Sequence, residues 1–324
     1  MNHIHASWAL LICLSLSLAG CSMNDSEVSP GNWRTKSAFG GTARNAAVTF
    51  TIKDKAYVGT GSNEDKDGLS DFWQYDPAEN KWTQVANFPG KARSEAVGFS
   101  IDSLGYVGTG LDRTTGDLFN DFYRYDPATN KWTQIANFGG SARRSAIAFT
   151  VAGTGFVATG SDSPELRDLW AYDPAKDAWT RKADFGGRAR IGAAAFVINN
   201  VAYVGTGSTN NVNQNDFWAY DPAKDTWRER KNFTGTSLAR SYGVGFSINN
   251  IGYFVTGSCT QRSGDYDVWG YNPITDSWTM QSSFEGTART RAIGFSTGTK
   301  GYVSTGATGQ ARFNDLWEFM PDGN

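Results

Sequence analysis

Histidine is almost missing from this chain of 324 residues: the two present, His3 and His5, sit within the first five positions. Beyond them no imidazole is left for a nucleophilic triad, a histidine metal site or proton transfer near neutral pH. Cysteine is nearly as scarce. Cys13 and Cys21 fall in or at the end of an apolar leader and only Cys259 lies further on, so the body of the chain can build no intrachain disulfide framework. An excess of one charge is lacking too, since 30 Lys and Arg against 32 Asp and Glu leave −2. No basic stripe suits nucleic acid and no acidic tail suits a solvating role. A mean hydropathy of −0.44 excludes a polytopic membrane protein.

The one long apolar run is at the start. Residues 7–18, SWALLICLSLSL, are too few to span a bilayer as a mature helix. They lead into Leu18-Ala19-Gly20-Cys21, with small residues where a signal peptidase cuts. This LAGC resembles the lipobox of bacterial lipoproteins, which implies cleavage before Cys21 and attachment of lipid, palmitate included, to that residue. The first six residues hold no Lys or Arg, so the charged start typical of such leaders is weak here, and an ordinary secretory signal is the alternative. Residues 22–31, SMNDSEVSPG, are polar and without periodicity and read as a flexible tether. Extended, ten residues reach at most about 33–36 Å. Ser22 after the cysteine, by resemblance to enterobacterial sorting, points to the outer membrane. The expected division is a signal peptide over 1–21, a tether over 22–31 and one folded unit over 32–324.

What fills that unit is aromatic residues, at 14% of the chain, and 37 glycines, a composition suited to strands and tight turns. Trp33, Trp82, Trp132, Trp179, Trp227 and Trp278 recur at spacings of 49, 50, 47, 48 and 51 residues. Each period holds four alternating apolar runs, hence four strands. In the second period they are Ser94–Ile101, Gly105–Gly110, Asp121–Asp126 and Lys131–Ala136, with Asp126-Pro127 and Asn130 in the last turn. The order of an inner-strand Arg, a Gly-Thr-Gly such as Gly108-Thr109-Gly110, a Tyr-Asp-Pro and a Trp resembles the kelch repeat. The likeness extends over residues 32–320 and implies an all-β, six-bladed β-propeller of the kind shared by galactose oxidase and the bacterial N-acetylneuraminate epimerases. Six inner arginines (Arg44, Arg93, Arg143, Arg190, Arg240, Arg289) and six aspartates (Asp71, Asp121, Asp168, Asp216, Asp267, Asp315) give the blade count. The chain stops after the sixth Asp-containing strand, whereas Asn32–Phe39, NWRTKSAF, matches KWTQVANF and precedes the first Arg. Residues 32–39 are therefore expected to complete the sixth blade and close the ring.

Residues repeated once per blade serve what every blade needs. Eleven of the twelve tryptophans occupy two columns of the repeat and are expected in inter-blade packing rather than sugar stacking. The arginines and aspartates are expected to pair with one another. Departures from the repeat are the better site candidates. Two residues after each Arg stand Ala46, Glu95, Ser145, Gly192, Tyr242 and Arg291, and Arg144 adds a further charge. Glu95, Arg144, Tyr242 and Arg291 are the expected ligand-binding cup at the channel mouth, with Glu95 the one candidate for acid/base work; solvated surface decoration is the competing interpretation. The insertion SNEDKDGLS places Asn63, Asp65, Asp67 and Gly68 like the start of a calcium loop, although Gln74 stands where a bidentate Glu belongs. Apart from that calcium, no cofactor is expected.

Two functions of different class follow. One is a binding or scaffold module for a protein or glycan, held at a membrane by its lipid, monomeric, and without catalysis. The other is a sialic-acid mutarotase-type epimerase, which the resemblance implies at the level of fold only. Copper galactose oxidase chemistry is excluded, because its histidine ligands have no counterpart after His5.

Overall fold

The computed structural model describes residues 32–321 apart from 66, 233–238 and 260–265; the leader, Cys21 and the tether lie outside the described residues. Six four-stranded antiparallel sheets stand around a common axis, and the described residues contain no helix. The second blade shows the rule: Val97–Ile101, Leu104–Gly108, Phe122–Asp126 and Lys131–Ile135 pair in that order, from the axis outward. Its inner strand begins three residues later than the sequence suggests. The reason is local: Glu95 adopts a left-handed backbone conformation (φ 57°), which no strand residue can hold.

Alternation along the inner strand buries Val97, Phe99 and Ile101 between blades and turns Gly98 and Ser100 toward the axis. Tight two-residue turns follow, with positive φ at Asn199 and Asn200 and again at Asn249 and Asn250, the geometry that matches strand twist. The third-to-fourth turn uses the predicted residues. Asp126 Oδ1 accepts from the Ala128 N–H at 2.9 Å, and Asn130 takes φ 52°.

The ring closes as expected. Trp33–Lys36 pairs with Leu316–Phe319 in the register Trp33↔Phe319 to Lys36↔Leu316 and forms the outermost strand of the sixth blade. Trp33 is buried against Phe284 and Phe319.

Both tryptophan columns pack between blades. Trp132 meets Phe72 and Phe88 of the preceding blade at centroid distances of 5.1 and 5.4 Å, and its indole donates to the Ala86 carbonyl at 2.9 Å. A second clip is made by the last turn. Asp225 Oδ1 accepts from the Tyr220 hydroxyl at 2.7 Å and from the Ala183 N–H of the preceding blade at 3.0 Å. Asn80, Asn130, Asp177 and Asp276 repeat this pattern.

The arginine–aspartate pairs are structural. In five blades the guanidinium lies 2.5–2.8 Å from both oxygens of its aspartate and is 0% exposed. In the fifth, Arg240 and Asp267 stand 3.8 Å apart. Each guanidinium also donates to the carbonyl of its blade's Thr-Gly threonine, as Arg93 does to Thr109 at 3.0 Å. That threonine has φ 58°, costly for a β-branched residue, and the arginine pins it there. A phenylalanine caps each of five guanidiniums, with Phe88 4.7 Å from Arg93.

Candidate ligand site at the channel mouth

The column that breaks the repeat becomes one continuous ring. Ala46, Glu95, Ser145, Gly192, Tyr242 and Arg291 all have φ between 51° and 60°. Each N–H donates to the carbonyl of the same column in the blade before: Glu95 to Ala46 (3.0 Å), Ser145 to Glu95 (3.1 Å), Gly192 to Ser145 (3.2 Å), Tyr242 to Gly192 (2.7 Å), Arg291 to Tyr242 (2.9 Å) and Ala46 to Arg291 (2.8 Å). Six bonds of one sense thus encircle the channel. A second ring lies outside it, in which Gly61, Gly110, Gly160, Gly207, Gly257 and Gly306 donate to the backbone carbonyl of the next blade's inner arginine. The backbone at the mouth is therefore saturated and rigid, and the side chains of the column are free to differ.

Glu95 is the centre of these side chains. Its carboxylate is 2% exposed, accepts from Arg113 Nη2 at 3.0 Å and from the Ser145 hydroxyl, and lies 3.4 Å from Arg144 Nη1 and 3.9 Å from Arg291 Nε. Arg291 stacks on Tyr242, its Cζ 3.9 Å from the ring centroid. Tyr242 in turn covers Gly192, where an added Cβ would fall 2.8 Å from the ring, so the glycine makes room for the tyrosine. All four residues expected at the mouth are brought together.

The open space they border is narrower than the expected cup. A recess of about 440 Å³ lies over the first, second, fifth and sixth blades, lined by Asn45, Arg113, Tyr242, Thr290, Arg291 and Arg312 among others. No carboxylate is among its lining residues. Glu95 borders only the smaller neck of about 130 Å³ beneath, and Arg144 borders neither. Two of the three arginines were missed by sequence reasoning. Arg113 belongs to the insertion after Gly110. Arg312 occupies a position filled by Gly68, Leu118, Glu165 and Asn213 in other blades.

The electrostatics of the recess are unbalanced. Burial, then the like charges of Arg113 and Arg291, pull the Arg312 guanidinium below its ordinary pKa, with Glu64 opposing. Arg291 Nε and Arg312 Nε are buried without a hydrogen-bond partner, and so is Asn45 Oδ1 on a side chain 6% exposed. Buried donors and acceptors normally have partners. The residues that carry them line a space large enough for a small ligand or one residue of a larger one.

Of the residues expected in a calcium loop, Asn63 closes its own turn. Asn63 Oδ1 accepts from the Asp67 N–H at 2.9 Å and closes the turn over Glu64 and Asp65. Among the described residues no group of three or more His, Cys, Asp or Glu is placed to hold a metal. Cys259 is buried on the short strand Ser258–Cys259, paired with Arg240–Ser241.

Comparison with known proteins agrees with this architecture. The family described as the KLHDC2/KLHL20/DRC7 Kelch-repeats domain matches residues 26–188, and the Kelch motif matches 189–234. Among curated proteins none matches the chain in sequence. The solved structure of YjhT superposes with a TM-score of 0.75 at 17% identity, over 87% of this chain and 95% of that one. At that identity the likeness is one of fold.

Proposed function

The chain belongs to the kelch-repeat family, and on that premise we propose a non-enzymatic binding module whose recess at the channel mouth takes an acidic group of a protein or glycan ligand. The convergence of Arg113, Arg291 and Arg312 on one recess without a lining carboxylate carries this reading. The structural arginines are matched one to one by aspartates, whereas these three are not.

Lipid attachment at Cys21 would hold the module outside the cytoplasm, with the outer membrane favoured by Ser22. The first described strand enters at the end of the sixth blade opposite the mouth: Trp33 pairs with Phe319, while Lys36 at the mouth end pairs with Leu316. The mouth thus lies at the other end of the sheet from Trp33, the end that an anchored chain would enter. Labelling with radioactive palmitate, lost on Cys21→Ser, tests the anchor; labelling unaffected by the substitution would refute it. A glycan array and pull-down from cell envelopes test the module. Ligand retention that falls on Arg291→Ala but not on Lys176→Ala supports it, and equal retention by both variants counts against it.

A second reading, a sialic-acid mutarotase, draws on the Glu95 carboxylate and Tyr242 hydroxyl lying beside guanidinium groups able to hold a sugar carboxylate. Glu95 already accepts from Arg113 and Ser145, so a base there must give up a partner. Exchange NMR of N-acetylneuraminate anomers decides: rates equal to buffer alone exclude this activity.

A further inference from the structure

The charge count of the recess says more than its sign. Three guanidiniums line it, Arg113, Arg291 and Arg312, and a fourth, Arg144, joins their cluster through Glu95 from outside the recess. Glu95 lies against three of them, and Glu64 is near enough to act on Arg312. Four positive charges against two negative ones leave a surplus of two. Repulsion among Arg113, Arg291 and Arg312 persists, and the Nε donors of the latter two are buried and unused. A single negative charge would offset only half of this. Around the guanidiniums stand Thr290, Ser241 and Asn45, whose amide oxygen lacks a donor.

Resting on the reading of the recess as an anion site, we infer that its ligand carries a doubly charged oxyanion head, as a phosphate monoester or a dicarboxylate does. Two guanidiniums from different blades straddle such a head and satisfy its oxygens, the arrangement for which planar forked donors are suited. The hydroxyl and amide groups take the remaining oxygens or an adjoining ligand hydroxyl. The rigid backbone ring beneath fixes the positions from which Tyr242 and Arg291 project, and their stacking holds the guanidinium in place, so the head meets a preformed site.

Phenyl phosphate and phenyl sulfate are the probes that separate charge from shape, since they are close in size and carry two charges and one at pH 7.5. Isothermal titration of the protein is expected to show phenyl phosphate binding about tenfold more tightly, and Arg312→Ala or the milder Arg312→Gln to erase that ratio. At pH 5 the phosphate group, with its second pKa near ~6, holds an extra proton and the ratio should fall toward one. Malonate binding as tightly as phenyl phosphate, or in its place, identifies a dicarboxylate as the source of the same charge. Equal affinity for the two phenyl esters at pH 7.5 overturns the inference while leaving an anion site intact. No binding of any of the three overturns both.

Discussion

The Ala46 N–H donates to the Arg291 carbonyl at 2.8 Å, and this bond joins the first blade to the sixth at the channel mouth. It completes a ring whose other five bonds link consecutive blades. The same residues whose backbones make the ring present the side chains that vary, so rigidity and specificity occupy one column of the repeat. Arg291 serves both: its carbonyl closes the ring and its guanidinium, stacked on Tyr242, borders the recess.

Closure should be visible in stability. Trp33→Ala empties the space between Phe284 and Phe319 and is expected to cost about 3–5 kcal/mol, as for other buried Trp truncations. Deleting residues 32–39 removes the whole outer strand of the sixth blade and should lower the melting temperature sharply. Urea titration of the point variant and thermal melting of the deletion check both. A melting temperature unmoved by the deletion would show that the ring does not depend on this strand.

The repeat supplies its own control for the turn clip. Asp225 and its counterpart Asn130 make the same two contacts, so Asp225→Asn should shift stability by less than about 0.5 kcal/mol. Asp225→Ala leaves the buried Tyr220 hydroxyl without its acceptor and should cost about 1–3 kcal/mol. Equal losses in the two variants would mean that charge, not the hydrogen bonds, matters at this position.

Acid should attack the arginine pairs. Burial pushes Asp71, Asp168 and Asp216 upward, but hydrogen bonds and charge from Arg44, Arg143 and Arg190, aided by an indole N–H, outweigh it and hold all three below the ordinary carboxylate value. A carboxylate depressed by folding contributes its stability fully above the unfolded pKa, about 3.9, and loses it as pH falls through the folded value. Stability should therefore be level from pH 7 to about 5 and drop below about 4. Asp216→Asn is expected to be less stable at pH 7 and to show a shallower acid limb. An acid limb as steep as that of the unsubstituted protein would assign the effect to other groups.

Much of this was legible in the sequence because repetition exposes it. The Arg44–Asp71 type of pair, the two tryptophan columns and the strand at Trp33 each appear as a pattern with a definite count, and a missing or extra member is itself a signal. Glu95, Tyr242 and Arg291 were legible for the opposite reason, as breaks in a column otherwise framed by Arg and Ala or Gly. Arg113 and Arg312 were not. They lie in insertions of unequal length, where no register fixes which residue turns toward the mouth. Arg144 shows the converse: its position beside the inner Arg marks it, yet its guanidinium approaches Glu95 from outside the recess. Asn45 was hidden among Ser94, Ser241 and Thr290 in the same column.

With Asn63 committed to closing its turn, calcium is expected to leave the melting temperature unchanged. A rise on adding calcium, reversed by chelator, would instead establish residues 63–68 as a cation loop.

The most direct test observes the guanidiniums themselves. In nitrogen-15 spectra of arginine Nε–H groups, assigned by single Arg→Lys variants, titration with phenyl phosphate should move the Arg113, Arg291 and Arg312 signals along one saturating curve. Those of Arg44, Arg93, Arg143, Arg190 and Arg289, locked to their aspartates, should stay in place. Signals of the recess that stay fixed, or that drift no more than those of the blade arginines, would contradict an anion site at the mouth.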